Sequence, residues 1–225
     1  MSKHLERDLE ALEREILAQS SLVEEMINKS CRALVDRRSD LSSEVVAAEQ
    51  QIDAREVKIE EECLKILALH QPVAVDLRRT ATVLKINTEL ERIADLAVNI
   101  AERTSSLADH LDFEIPGKLE RMADLATDMV HDALDAFVEL DVAAARAVCR
   151  RDEEVDTLNR QAIEELHETM RARADLVEPA LHVFSISRHV ERIADCATNI
   201  AEDVIYLVEG EIARHHHVEL KKHLT

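Results

Sequence analysis

The twelve residues Glu91 to Glu102, ERIADLAVNIAE, return as ERIADCATNIAE from Glu191 to Glu202, identical at 10 of 12 positions and displaced by 100 residues. A segment kept twice at that separation constrains the chain to an internal duplication, with both copies in equivalent surroundings. Each copy sets Glu, Asp, Asn and Glu at matching points: Glu91, Asp95, Asn99 and Glu102, then Glu191, Asp195, Asn199 and Glu202. On a helix turning about 100° per residue the first set falls near 0°, 40°, 80° and 20°, a single stripe. Ile86, Leu90, Ile93, Leu96, Ala97 and Ile100 centre on the opposite side, as do Ile186, Val190, Ile193, Cys196, Ala197 and Ile200 in the second copy. Each copy is thus predicted as an amphipathic helix with its apolar side packed inward and its carboxylates facing out.

The duplication extends beyond the ladders. Glu49-x-x-x-Asp53 matches Asp152-x-x-x-Asp156 at an offset of 103, and Met26 matches Met129 at the same offset. The 225 residues include only 2 Gly, 3 Pro and 2% aromatics, too little turn chemistry for a sheet protein. Helical spacing of apolar residues predicts six helices, over about 3–37, 41–70, 73–110, 119–139, 142–173 and 179–210. Ser39 and Asp40 offer a cap for the second, Pro72 ends it, Asp141 caps the fifth, and Pro179 suits the first turn of the sixth. The fold class expected is all-α: two tandem pseudo-symmetric three-helix bundles over 1–111 and 116–215, then a tail over 216–225.

Charge and cysteine usage narrow the function. The formal net charge is -19, from 47 acids against 28 bases. Direct nucleic-acid binding needs a basic footprint and is not expected. A cation or a basic protein partner is. Cys31, Cys63, Cys149 and Cys196 are scattered, with no CxxC pair, as suits core thiols in a reducing compartment. The N-terminus carries no apolar leader, and no run of about 18 apolar residues occurs, so a cytoplasmic protein without membrane insertion is expected.

The candidate chemistry lies in the carboxylates. Glu49, Asp53, Glu56 and Glu60 form a stripe that would stand beside Glu91, Asp95 and Asn99, while Asp152, Asp156 and Asn159 would stand beside Glu191, Asp195 and Asn199. Stacked acidic ladders repel and raise one another's pKa values, and a multivalent cation removes the conflict. Oxygen-only ligands suit Mg²⁺, Ca²⁺ and Mn²⁺, and also iron. The bland alternative is a solvated acidic face, such as Asp124, Asp128, Asp132 and Asp135 form on the fourth helix. Arg92 and Arg192 read as phosphate or partner contacts or, more plainly, as i,i+3 partners of Asp95 and Asp195, and His215, His216 and His217 as a transition-metal site or, more plainly, as cationic residues near a helix end. There is no Gly-rich phosphate loop, and no nucleophile–base spacing points to catalysis. A carboxylate-bridged metalloenzyme and a purely structural helical scaffold stand as alternatives to a regulatory binding protein.

The repeated ERIAD-x-A-x-NIAE, paired with E/D-x-x-x-D on the preceding helix, resembles the PhoU family of phosphate-uptake regulators over nearly the whole chain. That resemblance implies two similar three-helix bundles in a cytoplasmic, often dimeric protein without enzymatic activity. It implies negative regulation of the phosphate-starvation response, by linking the ATPase subunit of the phosphate ABC transporter to a sensor histidine kinase. It also implies iron or zinc clusters on surface motifs, here Glu49/Asp53, Glu91/Asp95, Asp152/Asp156 and Glu191/Asp195. Asp152, where the first half has Glu49, has a shorter reach and predicts unequal metal occupancy of the two halves.

Overall fold

A computed structural model describes residues 3–110 and 112–210, and within them every regular element is helical. The order is α1 (Lys3–Asp36), α2 (Ser39–His70), α3 (Ala74–Ser106), α4 (Gly117–Glu139), α5 (Val142–Ala172) and α6 (Val177–Glu209), with a 3-10 turn (Ala174–Leu176) leading into α6. His215–His217 and the proposed tail lie outside the described residues.

The connections follow from local chemistry, with three departures from expectation. Arg38, not Ser39 or Asp40, is the N-cap of α2, and no side chain caps it. The Asp40 carboxylate is instead taken by the Arg38 guanidinium. The third helix stops at Ser106, after which Leu107 closes a turn onto the Thr104 carbonyl and residues to Asp109 continue as turns. The sixth starts at Val177, so Pro179 sits third in the helix, still within the turn where its missing N–H is tolerated. Asp141 caps α5 as predicted, its Oδ1 accepting from the N–H groups of Ala143 (2.8 Å) and Ala144 (3.0 Å). With glycine so scarce, the left-handed residues after α2 and α4 are Gln71 (φ 46°) and Leu140 (φ 53°), a conformation that costs a non-glycine residue about 1 kcal/mol. Only α6 ends on a glycine, Gly210 (φ 75°).

Helices α1, α2 and α3 pack on one another, as do α4, α5 and α6. Ion pairs step along antiparallel neighbours: Lys29–Glu44 (2.8 Å), Lys58–Glu15 (2.8 Å) and His70–Asp8 (3.0 Å) run down α1 and α2. The two bundles are joined chiefly through α3 and α6, with α1 also touching α4. At the α3/α6 seam Lys85 Nζ lies 2.7 Å from Asp203 Oδ1, and Arg78 Nε donates to the Leu207 carbonyl at 3.3 Å. This antiparallel register sets the equivalent positions 94 and 194 opposite each other, so the pseudo-twofold axis passes through the middle of the seam. Ala94, Ala97 and Ala101 of α3 and Ala194, Ala197 and Ala201 of α6 are all buried, and their small side chains let the two backbones approach. The core around them is aliphatic and continuous across both halves, with the equivalent Met26 and Met129 both buried.

Candidate cation and docking faces

Because the apolar stripes of α3 and α6 are spent on the bundle cores and the seam, both ladders lie on the outside, as the helical angles require. Asp53 and Asp95 are exposed and Glu49 and Glu91 half-buried; in the second half Asp195 is exposed and Asp152, Asp156 and Glu191 are half-buried. The carboxylates of α2 and α3 stand close enough to act on one another. Glu49 is pushed above its ordinary pKa by partial burial and then by the charges of Asp95, Asp53 and Glu102. Glu91 is raised by burial and by Asp95, Glu56 and Asp53, with Arg92 pulling back. Asp95 is raised by burial and by Asp53, against a hydrogen bond with Glu91 that lowers it. Raised carboxylates around a shared space mark accumulated negative charge, which Arg92 offsets only in part, at Glu91.

The second face holds the same motif with different neighbours. Arg188 Nη1 donates to Glu191 Oε1 at 3.0 Å. Glu191 is raised by burial and by Asp195, with Arg188 pulling back. Asp195 is raised by burial and by Asp156, while Arg188, Arg192 and Arg92 all oppose the shift. The equivalent of Arg188 in the first half is Thr88, whose hydroxyl donates to its own helix at the Leu84 carbonyl (3.2 Å). Arg188 was the residue that sequence reasoning missed, and the Thr88/Arg188 difference was the signal that could have found it.

Three residue expectations change. Arg92 pairs with Glu89 (3.1 Å) rather than Asp95, one turn back along α3 rather than one turn on. Asn99 donates to the Asp95 main-chain oxygen at 2.7 Å, so its carboxamide N–H is occupied by its own helix. Asn159 points inward and is buried, although it follows Asp152 and Asp156 by helical spacing. Asn199 remains half-buried beside Asp195.

The donor chemistry of both faces, all oxygen, suits a hard cation. The positions are not set for one: among the described residues no group of three or more His, Cys, Asp or Glu side chains is arranged to hold a metal ion. On the first face Glu91 and Asp95 are hydrogen-bonded to each other, and on the second Arg188 holds Glu191. A cation would have to draw these side chains together, and on the second face also displace Arg188. The cysteines do not contribute. Burial pushes Cys31 and Cys149 up to about 11 and Cys63 up to about 12, and raises Cys196 further, so all four stay protonated thiols. The α4 acids are partly spoken for: Arg151 takes Asp132, and His131 lies between Glu24 (2.8 Å) and Asp135 (3.4 Å).

Fold and faces together define a class: tandem three-helix-bundle proteins that display one carboxylate ladder per repeat. The family model described as "PhoU domain" matches this chain twice, over residues 16–104 and 119–204, and the chain belongs to the PhoU family. It is 37% identical over 215 residues, 96% of its own length and 97% of the relative's, to the phosphate-specific transport system accessory protein PhoU homolog of Aquifex aeolicus. Among solved structures it is similar to PhoU from Pseudomonas aeruginosa, with a TM-score of 0.88 at 36% identity, covering 92% of this chain and 99% of that one. It is also similar to the phosphate transport system regulatory protein PhoU from Streptococcus pneumoniae, with a TM-score of 0.87 at 26% identity, covering 93% and 99%.

Proposed function

We propose that this chain is an accessory protein of phosphate transport, acting as a cytoplasmic, homodimeric, non-catalytic adaptor that restrains the phosphate-starvation response. It would do so by docking the ATPase subunit of the phosphate ABC transporter and the sensor histidine kinase of a two-component system. The observation that carries the reading is the first face, where Glu49, Glu91 and Asp95 all have raised pKa values although Arg92 pulls Glu91 back. Such a face meets a basic surface or a cation with gain on both sides, because the repulsion within it is relieved on contact. The names of the relatives, accessory proteins of a phosphate-specific transport system, support the same role. No helix among the described residues is long and apolar enough to cross a membrane, consistent with a docking rather than a spanning component.

A surface metal, iron or zinc by family likeness, fits this reading as a modulator. Glu49, Asp53, Glu91 and Asp95 would hold it on the first face, and Asp152, Asp156, Glu191 and Asp195 on the second. Bound there, it would offset much of the local negative charge and so switch docking. The test is a pull-down of the transporter ATPase with the Asp95→Asn/Asp195→Asn double variant, together with a phosphate-starvation reporter in a deletion strain. Weakened capture and a reporter that is active in phosphate-rich medium are expected. Undiminished capture with a silent reporter would sink the adaptor role.

A further inference from the structure

Every group at the α3/α6 seam has a counterpart 100 residues away, and the two flanks of the seam do not carry the same charges. On one flank stand Lys85, Glu89 and Arg92 of α3 with Asp203 of α6. They form two ion pairs, Lys85–Asp203 at 2.7 Å and Arg92–Glu89 at 3.1 Å, and the Lys85 ammonium also lies 5.2 Å from the centre of the Tyr206 ring. The equivalent positions on the other flank are Ser185, His189 and Arg192 of α6 with Arg103 of α3. Both carboxylates are gone: His189 replaces Glu89, and Arg103 replaces Asp203. Two guanidinium groups therefore stand where the first flank has neutral pairs.

The imidazole records this surplus. Ser185 Oγ lies 3.2 Å from His189 Nε2, while His189 Nδ1 is buried and has no hydrogen-bond partner. In the tautomer in which Ser185 donates to Nε2, Nδ1 carries the proton and is a donor left without an acceptor. Burial, then the charges of Arg192 and Arg103, hold the imidazole below its ordinary pKa. The nearest acids on α6 do not close the gap. Glu191 is held by Arg188, and Asp195 shares Arg192 with the flank. In a chain of net charge -19, a half-buried hydroxyl and unsatisfied imidazole flanked by two exposed arginines are out of keeping with their surroundings.

We propose that Arg103, Ser185, His189 and Arg192 form a binding site for a small tetrahedral oxyanion at the junction of the two bundles. The bound anion takes the part that the Glu89 and Asp203 carboxylates play on the opposite flank. Guanidinium forks match an oxyanion with paired N–H donors, and the imidazole adds its Nδ1–H, while the Ser185 hydroxyl, its one proton given to Nε2, holds that tautomer. Anchored to α3 by Arg103 and to α6 by Arg192 and His189, the anion bridges the halves as Lys85–Asp203 does across the axis.

Calorimetric titration of the full chain with inorganic phosphate, and in a second arm with sulfate, at constant ionic strength tests this. Saturable binding of one phosphate per chain is expected. Equal binding of sulfate assigns the site to tetrahedral oxyanions in general, and weaker binding of sulfate assigns it to phosphate. His189→Glu rebuilds the Glu–Arg pair of the first half and is expected to weaken binding by roughly tenfold or more while leaving the thermal midpoint unchanged or higher. Arg103→Ala, at an exposed position, is expected to weaken it by a similar factor without unfolding the chain. Absence of saturable binding of either anion at millimolar concentration, or unchanged affinity in either variant, overturns the proposal.

Discussion

The two halves of this protein share a ladder and differ in what surrounds it. On the first face Glu91 and Asp95 are joined by the acids Glu49, Asp53 and Glu56, with Arg92 opposing at Glu91 alone, whereas on the second Glu191 is clasped by Arg188 and three arginines act on Asp195. At the seam the difference reverses: the flank with Lys85 and Asp203 is balanced, and the flank with Arg103 and His189 carries the surplus positive charge. Duplication copied the scaffold, and single substitutions at equivalent positions, Thr88/Arg188, Glu89/His189 and Arg103/Asp203, then separated the roles. The lesson is that a repeated motif fixes geometry but not electrostatics, which depend on residues outside the motif.

The largest effect is expected at the seam. Lys85→Ala removes a partner from Asp203, whose side chain is only 4% exposed, and should lower unfolding free energy by about 2–3 kcal/mol. Ser185→Ala, at the equivalent position on the other flank, should change it by less than about 0.5 kcal/mol. Chemical denaturation of both variants measures the contrast, and equal losses would break it.

Next in size is Arg188→Ala, which should make the second face resemble the first. Releasing Glu191 raises its pKa further and leaves the Asp195 cluster less compensated. The expected loss at pH 7 is about 0.5–1 kcal/mol, readable as a lower thermal midpoint at low salt that recovers as salt is added.

A smaller and opposite effect comes from neutralising one acid on each face. Asp95→Asn should stabilise the protein at pH 7 by a few tenths of a kcal/mol through relief of like charge, and Asp195→Asn should stabilise it less, because arginines already offset that site. A reversed order in thermal midpoints would contradict the reading of the faces.

Acidification gives the same contrast in the wild type. Glu49, Glu91 and Asp95 have folded-state pKa values above the unfolded ones, so the folded state takes up their protons first, and stability rises as pH falls from 7 through those raised values. Asp8, Glu15, Asp40 and Asp175 are lowered by their Arg, His or Lys partners, so the stability they add is present above the unfolded pKa and lost as pH drops through their folded values. The thermal midpoint is therefore expected to peak near about pH 5 and fall below about pH 4. Glu191 and Asp195 are raised as well, against opposing arginines, so the rise from pH 7 to the peak should shrink in both Glu91→Gln/Asp95→Asn and Glu191→Gln/Asp195→Asn, and more in the first.

Much of this was legible in the sequence because it depends on periodicity. Helical angles alone turned the ladders outward, the shared offset of Met26 and Met129 with the acid pairs revealed the duplication, and Asp141 was recognisable as a cap. What was not legible depends on contacts between residues distant in sequence, or on choices among near-equal local partners. Arg92 could reach Glu89 or Asp95 with equal spacing, and only the packed helix decides for Glu89. Asn159 follows two half-buried acids by helical spacing, yet burial takes it into the core. The Lys85–Asp203 pair joins residues 118 apart, and no motif announces it.

The central claim, that the first face is the less compensated one, is tested most directly by titrating manganese into the wild type, Glu91→Gln/Asp95→Asn and Glu191→Gln/Asp195→Asn while following the thermal midpoint. A ligand that binds only the folded state raises the midpoint in proportion to its occupancy. The account predicts that the first variant loses most of the manganese-induced rise and the second keeps most of it. An equal loss in the two variants, or a larger loss in the second, would contradict it.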